Sequence, residues 1–132
     1  MKRLLIFLCT IFSIGATSCK ESLSKDVIKV VSPKEVKTLL IEKSLQIIDV
    51  RTPKEFKEGY IEGAQNIDFF SDDFDENIKK LDKTKPVILY CKSGRRSAKS
   101  SRKLFDAGFT EIYDIEGGIL RWKKEGFHIK TE

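Results

Sequence analysis

Short apolar runs alternate along this chain with stretches in which apolar residues return every third or fourth position. Val27-Ile28-Lys29-Val30-Val31 predicts a first strand. Ser32-Pro33-Lys34-Glu35 reads as a capping box with proline at the first helical position. Val36, Leu39 and Leu40 follow at helical spacing, so a helix runs to about Glu42. Gln46-Ile47-Ile48-Asp49-Val50 predicts a second, central strand, and Thr52-Pro53-Lys54-Glu55 caps a short helix that Gly59 stops. Asn66 to Phe69 reads as a short strand. Ser71 to Leu81 reads as a helix with acids in its first turn and lysines at its end. Val87-Ile88-Leu89-Tyr90 follows Pro86 and is apolar on both faces, the pattern of a strand buried inside a parallel sheet. Ala98 to Phe105 is an amphipathic helix that Gly108 can end. Thr110 to Ile115 is a further strand, and Gly117-Gly118 opens a last helix carrying Ile119 and Trp122. Strands and helices alternating in this way predict an α/β domain over residues 27–132, with a mostly parallel central sheet and helices on both faces.

The start of the chain breaks this rhythm. Lys2 and Arg3 precede an apolar run from Leu4 to Ile14, too short to span a bilayer comfortably but suited to a secretory signal. Gly15-Ala16-Thr17-Ser18 then supplies small residues before Cys19. This resembles a bacterial lipobox, with Ala16 in place of the usual leucine three residues before the cysteine. The resemblance implies a signal peptide over residues 1–18, a lipidated Cys19, and a polar tether over residues 19–26. The expected location is extracytoplasmic: a periplasm-facing membrane lipoprotein, or a secreted protein if Cys19 is not lipidated.

Charge removes some function classes. The chain carries 25 basic and 20 acidic residues, a net charge of +5, but the two signs are interspersed. That leaves no footprint for nucleic acid. The exception is the cluster Lys92, Arg95, Arg96, Lys99, Arg102 and Lys103, of which Lys99 and Lys103 suit a solvated helix face. One histidine, His128, and no C-x-x-C pair argue against a metal site, and no cofactor motif is present. The acidic run Asp72, Asp73, Asp75 and Glu76 lacks the glycine and terminal glutamate of a calcium loop.

Of the three cysteines, Cys9 lies in the signal and Cys19 at the expected lipid site. Cys91 is therefore left without a partner inside the domain, which is unusual for a small secreted protein held by disulfides. It falls where the central apolar strand hands over to a helix, followed by Lys92-Ser93-Gly94-Arg95-Arg96-Ser97. Amides of a turn and of a first helical turn lack intrahelical acceptors. The helix dipole and the cations of Lys92, Arg95 and Arg96 add positive charge. Such surroundings stabilise a thiolate, the nucleophilic form, and can hold an anion. An inert core thiol is the alternative, but it has no need of Gly-Arg-Arg-Ser behind it.

Cys91-Lys92-Ser93-Gly94-Arg95-Arg96-Ser97 resembles the active-site loop of the rhodanese domain, C-x-x-G-x-R-S/T. Two further segments agree. Asp49, Arg51, Glu55, Phe56, Gly59, Ile61, Gly63, Ala64 and Asn66 match a second family pattern, with Tyr60 replacing its usual histidine. Ile115, Gly117, Gly118 and Trp122 match a third. The resemblance runs from about Ile28 to Phe127. It implies a single-domain sulfurtransferase in which Cys91 takes sulfane sulfur from a small anion such as thiosulfate. Cys91 would carry that sulfur as a persulfide and pass it to a thiol, a protein acceptor or cyanide. Arg96 would shape the loop and face its anion, and Lys92 and Arg95 would contact the donor. Asp49 and Arg51 are expected to fasten loops behind the site. Two alternatives stand beside this reading. One is a sulfur-relay or redox-sensing module. The other is a phosphatase of the same fold, disfavoured because such enzymes space cysteine and arginine by five residues, whereas four separate Cys91 from Arg96.

Overall fold

The computed structural model describes residues 16–132, so the expected signal segment lies outside the described residues except for its last three. A five-stranded sheet runs through the centre, with β1 (Ile28–Val31), β2 (Gln46–Asp49), β3 (Ala64–Asn66), β4 (Val87–Tyr90) and β5 (Ile112–Ile115). Their spatial order is β1-β5-β4-β2-β3, and every pairing is parallel. Six helices connect or flank them among the described residues: α1 (Ala16–Val27), α2 (Pro33–Glu42), α3 (Pro53–Lys57), α4 (Phe74–Lys79), α5 (Arg95–Asp106) and α6 (Gly118–Lys124).

The sheet has a core on each face. One packs Leu89, Val87 and Ile112 against Phe74 and Ile78 of α4 and Leu104 of α5. The other packs Ile88, Tyr90 and Ile115 against Val36 of α2 and Ile119 and Trp122 of α6. β4 is buried along its whole length, as its unbroken apolar run requires. Both capping boxes are present: Ser32 with Glu35 starts α2, and Thr52 with Glu55 starts α3. The sheet and its covering helices thus agree with the α/β expectation.

Three local details differ. Residues 19–26, expected as a polar tether, belong to α1. The helix docks on α5 through polar contacts: Arg102 donates to Ser24 Oγ at 2.9 Å, and Lys20 pairs with Asp106 at 3.0 Å. Val27 at its end joins the core. β3 occupies residues 64–66 rather than 66–69, because Asn66 stands in register with Asp49 while the following amides bond the carbonyls of Asp49 and Val50. α4 begins only at Phe74, with no side-chain cap at Asp73.

Candidate active site

β4 ends at Tyr90 in the middle of the sheet, and Cys91 is the next residue. The carboxyl ends of parallel strands are where α/β folds place their ligand sites. Cys91 is 1% exposed. Its Sγ accepts from the Gly94 amide at 3.0 Å and lies 3.5 Å from Ser97 Oγ. The Ser97 hydroxyl also donates to the Gly94 carbonyl at 3.2 Å. Gly94 has φ +115°, which turns its amide back onto the sulfur in a conformation that L side chains rarely adopt.

The loop carbonyls point out of this bowl. Ile119 donates its amide to the Cys91 carbonyl at 2.9 Å, and Leu120 donates to that of Lys92 at 3.2 Å. The start of α6 thus takes up the acceptors of the loop and leaves donors inside. This close approach explains the paired glycines. A Cβ at Gly118 would lie 2.5 Å from the Cys91 carbonyl oxygen and closer still to that of Lys92. At the start of α5 the amides of Arg95, Arg96 and Ser97 have no acceptor among the described residues, as for any first helical turn. Amides and helix dipole together suit a thiolate, or a negatively charged sulfur carried on it.

The cations divide into two groups. Lys92 and Arg95 are exposed at the mouth, as is Ser93. Arg96 is not free. Its guanidinium makes a two-pronged pair with Glu55, at 2.7 and 2.8 Å, and lies 5.6 Å over the Phe70 ring. The pair ties the start of α5 to α3, and the charge of Arg96 is already matched. Glu55 serves twice, since the same carboxylate caps α3 through the Thr52 amide at 3.0 Å. Hydrogen bonding from Arg96, aided by Thr52, pulls the Glu55 carboxyl down to about 2 against the opposing effect of burial.

Asp49 and Arg51 lie side by side at the end of β2, both buried. Arg51 donates to Asp49 Oδ2 at 2.6 Å and to the Gly59 carbonyl at 2.7 Å. Asn66 donates to the carbonyls of Asp49 and Arg51. The pair ties β2, β3 and the Gly59 turn together. Tyr60 stacks on Phe56, with ring centroids 4.1 Å apart. Cys19 is exposed on α1, and Lys20 beside it pairs with Asp106 at the far end of α5 from the site.

Two groups have surroundings that local sequence does not reveal. Glu55 gave a capping signal, but its second partner is 41 residues away. Asp114 interrupts the apolar strand Ile112-Tyr113-Asp114-Ile115, itself a sign of a buried carboxyl, and stands 5% exposed. Among the described residues no cluster of ligating side chains could hold a metal ion.

The family model of the rhodanese-like domain matches residues 32–125. The chain belongs to the rhodanese-like family. Among curated relatives, thiosulfate sulfurtransferase 18 of Arabidopsis thaliana is 32% identical over 130 residues, covering 89% of this chain and 90% of the relative. The uncharacterized protein YqhL of Bacillus subtilis is 43% identical over 77 residues, or 58% of this chain. The crystal structure of a rhodanese-like domain protein from Staphylococcus aureus superposes with a TM-score of 0.68 at 33% identity, covering 79% of this chain and 98% of that one. The chain matches 60% of the length of YqhL and 32% of a tRNA uridine(34) hydroxylase from Pelagibacter ubique. Rhodanese-like domains thus occur in proteins named for different reactions.

Proposed function

We propose that this protein is a sulfurtransferase that carries sulfane sulfur on Cys91. The observation that supports it most is the bowl around Sγ: a Gly94 amide at 3.0 Å, unpaired amides at the start of α5, and loop carbonyls drawn outward by α6. In the first half-reaction the Cys91 thiolate attacks the outer sulfur of thiosulfate. The sulfur–sulfur bond of thiosulfate breaks, sulfite leaves with the bonding pair, and Cys91 holds a persulfide anion. In the second, cyanide or a thiolate attacks the outer persulfide sulfur. Thiocyanate or a new persulfide leaves, and the Cys91 thiolate returns. Such covalent catalysis predicts ping-pong kinetics. Lys92 and Arg95, exposed at the mouth, are the cations available to draw in a dianion. Relatives named thiosulfate sulfurtransferase add weight to this choice of donor.

The N-terminal pattern supports a form anchored to a membrane by lipid at Cys19. No helix among the described residues is long and apolar enough to cross one.

Intact-mass measurement after thiosulfate treatment tests the carrier step. Wild type should gain one sulfur atom that cyanide removes, and Cys91→Ser should gain none. Absence of an adduct from thiosulfate, polysulfide and other sulfane donors would overturn the proposal.

A further inference from the structure

Any acceptor that takes sulfur from Cys91 must bring its thiolate to the mouth of the bowl. Whatever carbon frame carries that thiolate must then rest on the rim. One stretch of the rim is apolar. Phe69 and Phe70 follow β3, and the Phe69 amide donates to the Val50 carbonyl at 3.1 Å, while the Val50 amide donates to the Tyr90 carbonyl at 3.0 Å. The segment therefore lies at the carboxyl ends of β2 and β4, where Cys91 begins the reactive loop. Phe69 packs against the core and meets Phe74 edge-on, with ring centroids 5.6 Å apart. Phe70 turns outward. It is 67% exposed, the aromatic side chain left open to solvent among the described residues.

The ring is held in place. Phe69 meets it edge-on at 5.4 Å, the Arg96 guanidinium lies 5.6 Å from its centre, and the Phe70 amide donates to Asp68 Oδ1 at 3.0 Å. A large ring left in water forgoes the gain of burying it. A ring already fixed loses little further freedom when a ligand covers it. The charges around it do not suit the sulfur donor as that ligand. Arg96 is committed to Glu55, and Asp72 and Asp73 are exposed just beyond the ring in sequence. A dianion is drawn to Lys92 and Arg95 instead. Thiosulfate and cyanide also have no apolar frame to lay on a ring.

We propose that Phe70 is a specificity-determining residue for the second half-reaction, selecting acceptors whose thiol carries an apolar or aromatic group within a few bonds of the sulfur. The proposal rests on the persulfide reading of Cys91. In the step it governs, the acceptor thiolate attacks the outer sulfur, the bond between the persulfide sulfurs breaks, and Cys91 leaves as thiolate with the bonding pair. The apolar group lies on the Phe70 ring as its thiolate reaches the outer sulfur. That contact stabilises the transition state of discharge and has no counterpart in loading. A small organic thiol and a polypeptide cysteine with apolar neighbours share this chemistry.

The test separates the half-reactions. The full chain is loaded with thiosulfate, freed of it by gel filtration and mixed with each acceptor. Intact mass follows the loss of the sulfur that Cys91→Ser never gains. Phe70→Ala should load as wild type does. Its discharge by benzyl mercaptan, and by a peptide with leucines on both sides of its cysteine, should be slower by about fivefold. Discharge by mercaptoethanol, by a peptide with serines in those places, and by cyanide should be unchanged. Phe70→Tyr should restore the fast discharge. Ile41→Ala removes an exposed apolar side chain from α2, on the other face of the sheet, and should change no rate. Selectivity towards benzyl mercaptan alone or the leucine peptide alone supports the proposal and tells which source of apolar thiol fits. A fall common to loading and to every acceptor marks Phe70 as a prop for Arg96 and overturns the proposal. Wild type that takes up no sulfur overturns the underlying reading as well, whereas normal loading without acceptor selectivity overturns this proposal alone.

Discussion

Glu55→Gln probes how the reactive loop is held in place. The Glu55 carboxylate accepts from both terminal nitrogens of Arg96 and from the amide and hydroxyl of Thr52, each of the latter at 3.0 Å. These bonds hold its carboxyl at about 2 rather than at 4.5. A shift of that size corresponds to at most about 3 kcal/mol of pH-dependent stability. The two side chains are 17% and 26% exposed, and solvent screening reduces the figure to about 1.5 kcal/mol. The folded value lies below the unfolded one, so the stabilisation is complete above about pH 4.5 and is lost as pH falls towards 2. Glutamine keeps an oxygen for the cap and removes the charge. Urea unfolding at pH 7 should therefore show Glu55→Gln less stable by about 1.5 kcal/mol, with Tm lower by about 4 °C. The gap should narrow steadily below pH 4.5. Adding Arg96→Lys to Glu55→Gln should cost little more than either change alone, because the two side chains share one interaction. Equal stability at pH 7, or a gap indifferent to pH, would refute this account of the loop.

Gly118→Ala should lower stability by about 2–5 kcal/mol in urea unfolding, from positive φ together with collision against the loop carbonyls. It should also abolish persulfide formation. Gly126→Ala, at φ +81° but in open space, should cost only about 1–2 kcal/mol and leave sulfur loading intact. Cys19→Ala should move the protein made in a bacterial host from the detergent phase to the aqueous phase of a cloud-point separation. A protein that partitions equally with and without Cys19 would remove the lipid anchor from the reading.

The features legible in the chain were those carried by local pattern. The apolar run Val87 to Tyr90 predicts a strand enclosed on both faces, and the structure encloses it completely. Both capping boxes are read from four-residue signatures and recur in the structure with their hydrogen bonds. The paired glycines at 117 and 118 signalled a tight turn near the reactive loop, and the contact between Gly118 and the loop carbonyls is the physical reason. Illegible features depended on distant partners. α1 has almost no apolar stripe, because it holds to α5 by a hydrogen bond to Ser24 and an ion pair at Lys20. Nothing in residues 19–26 announces that. The pairing of Glu55 with Arg96 likewise joins segments 41 residues apart, and no spacing within either segment encodes it.

The dependence of the loop on α6 also has a meaning in time. Cys91 and its cationic neighbours leave the ribosome before Gly117 and Gly118 do. Until those glycines arrive, the carbonyls of Cys91 and Lys92 have no amides of Ile119 and Leu120 to turn towards, and the donor-lined bowl has no reason to persist. Between the synthesis of Cys91 and that of Ile119 and Leu120 the thiol therefore lacks the bonds that order its loop. The reactive loop thus depends on a helix that lies downstream of it in the chain, so the surroundings of the thiol are a product of the folded domain and not of the loop segment alone.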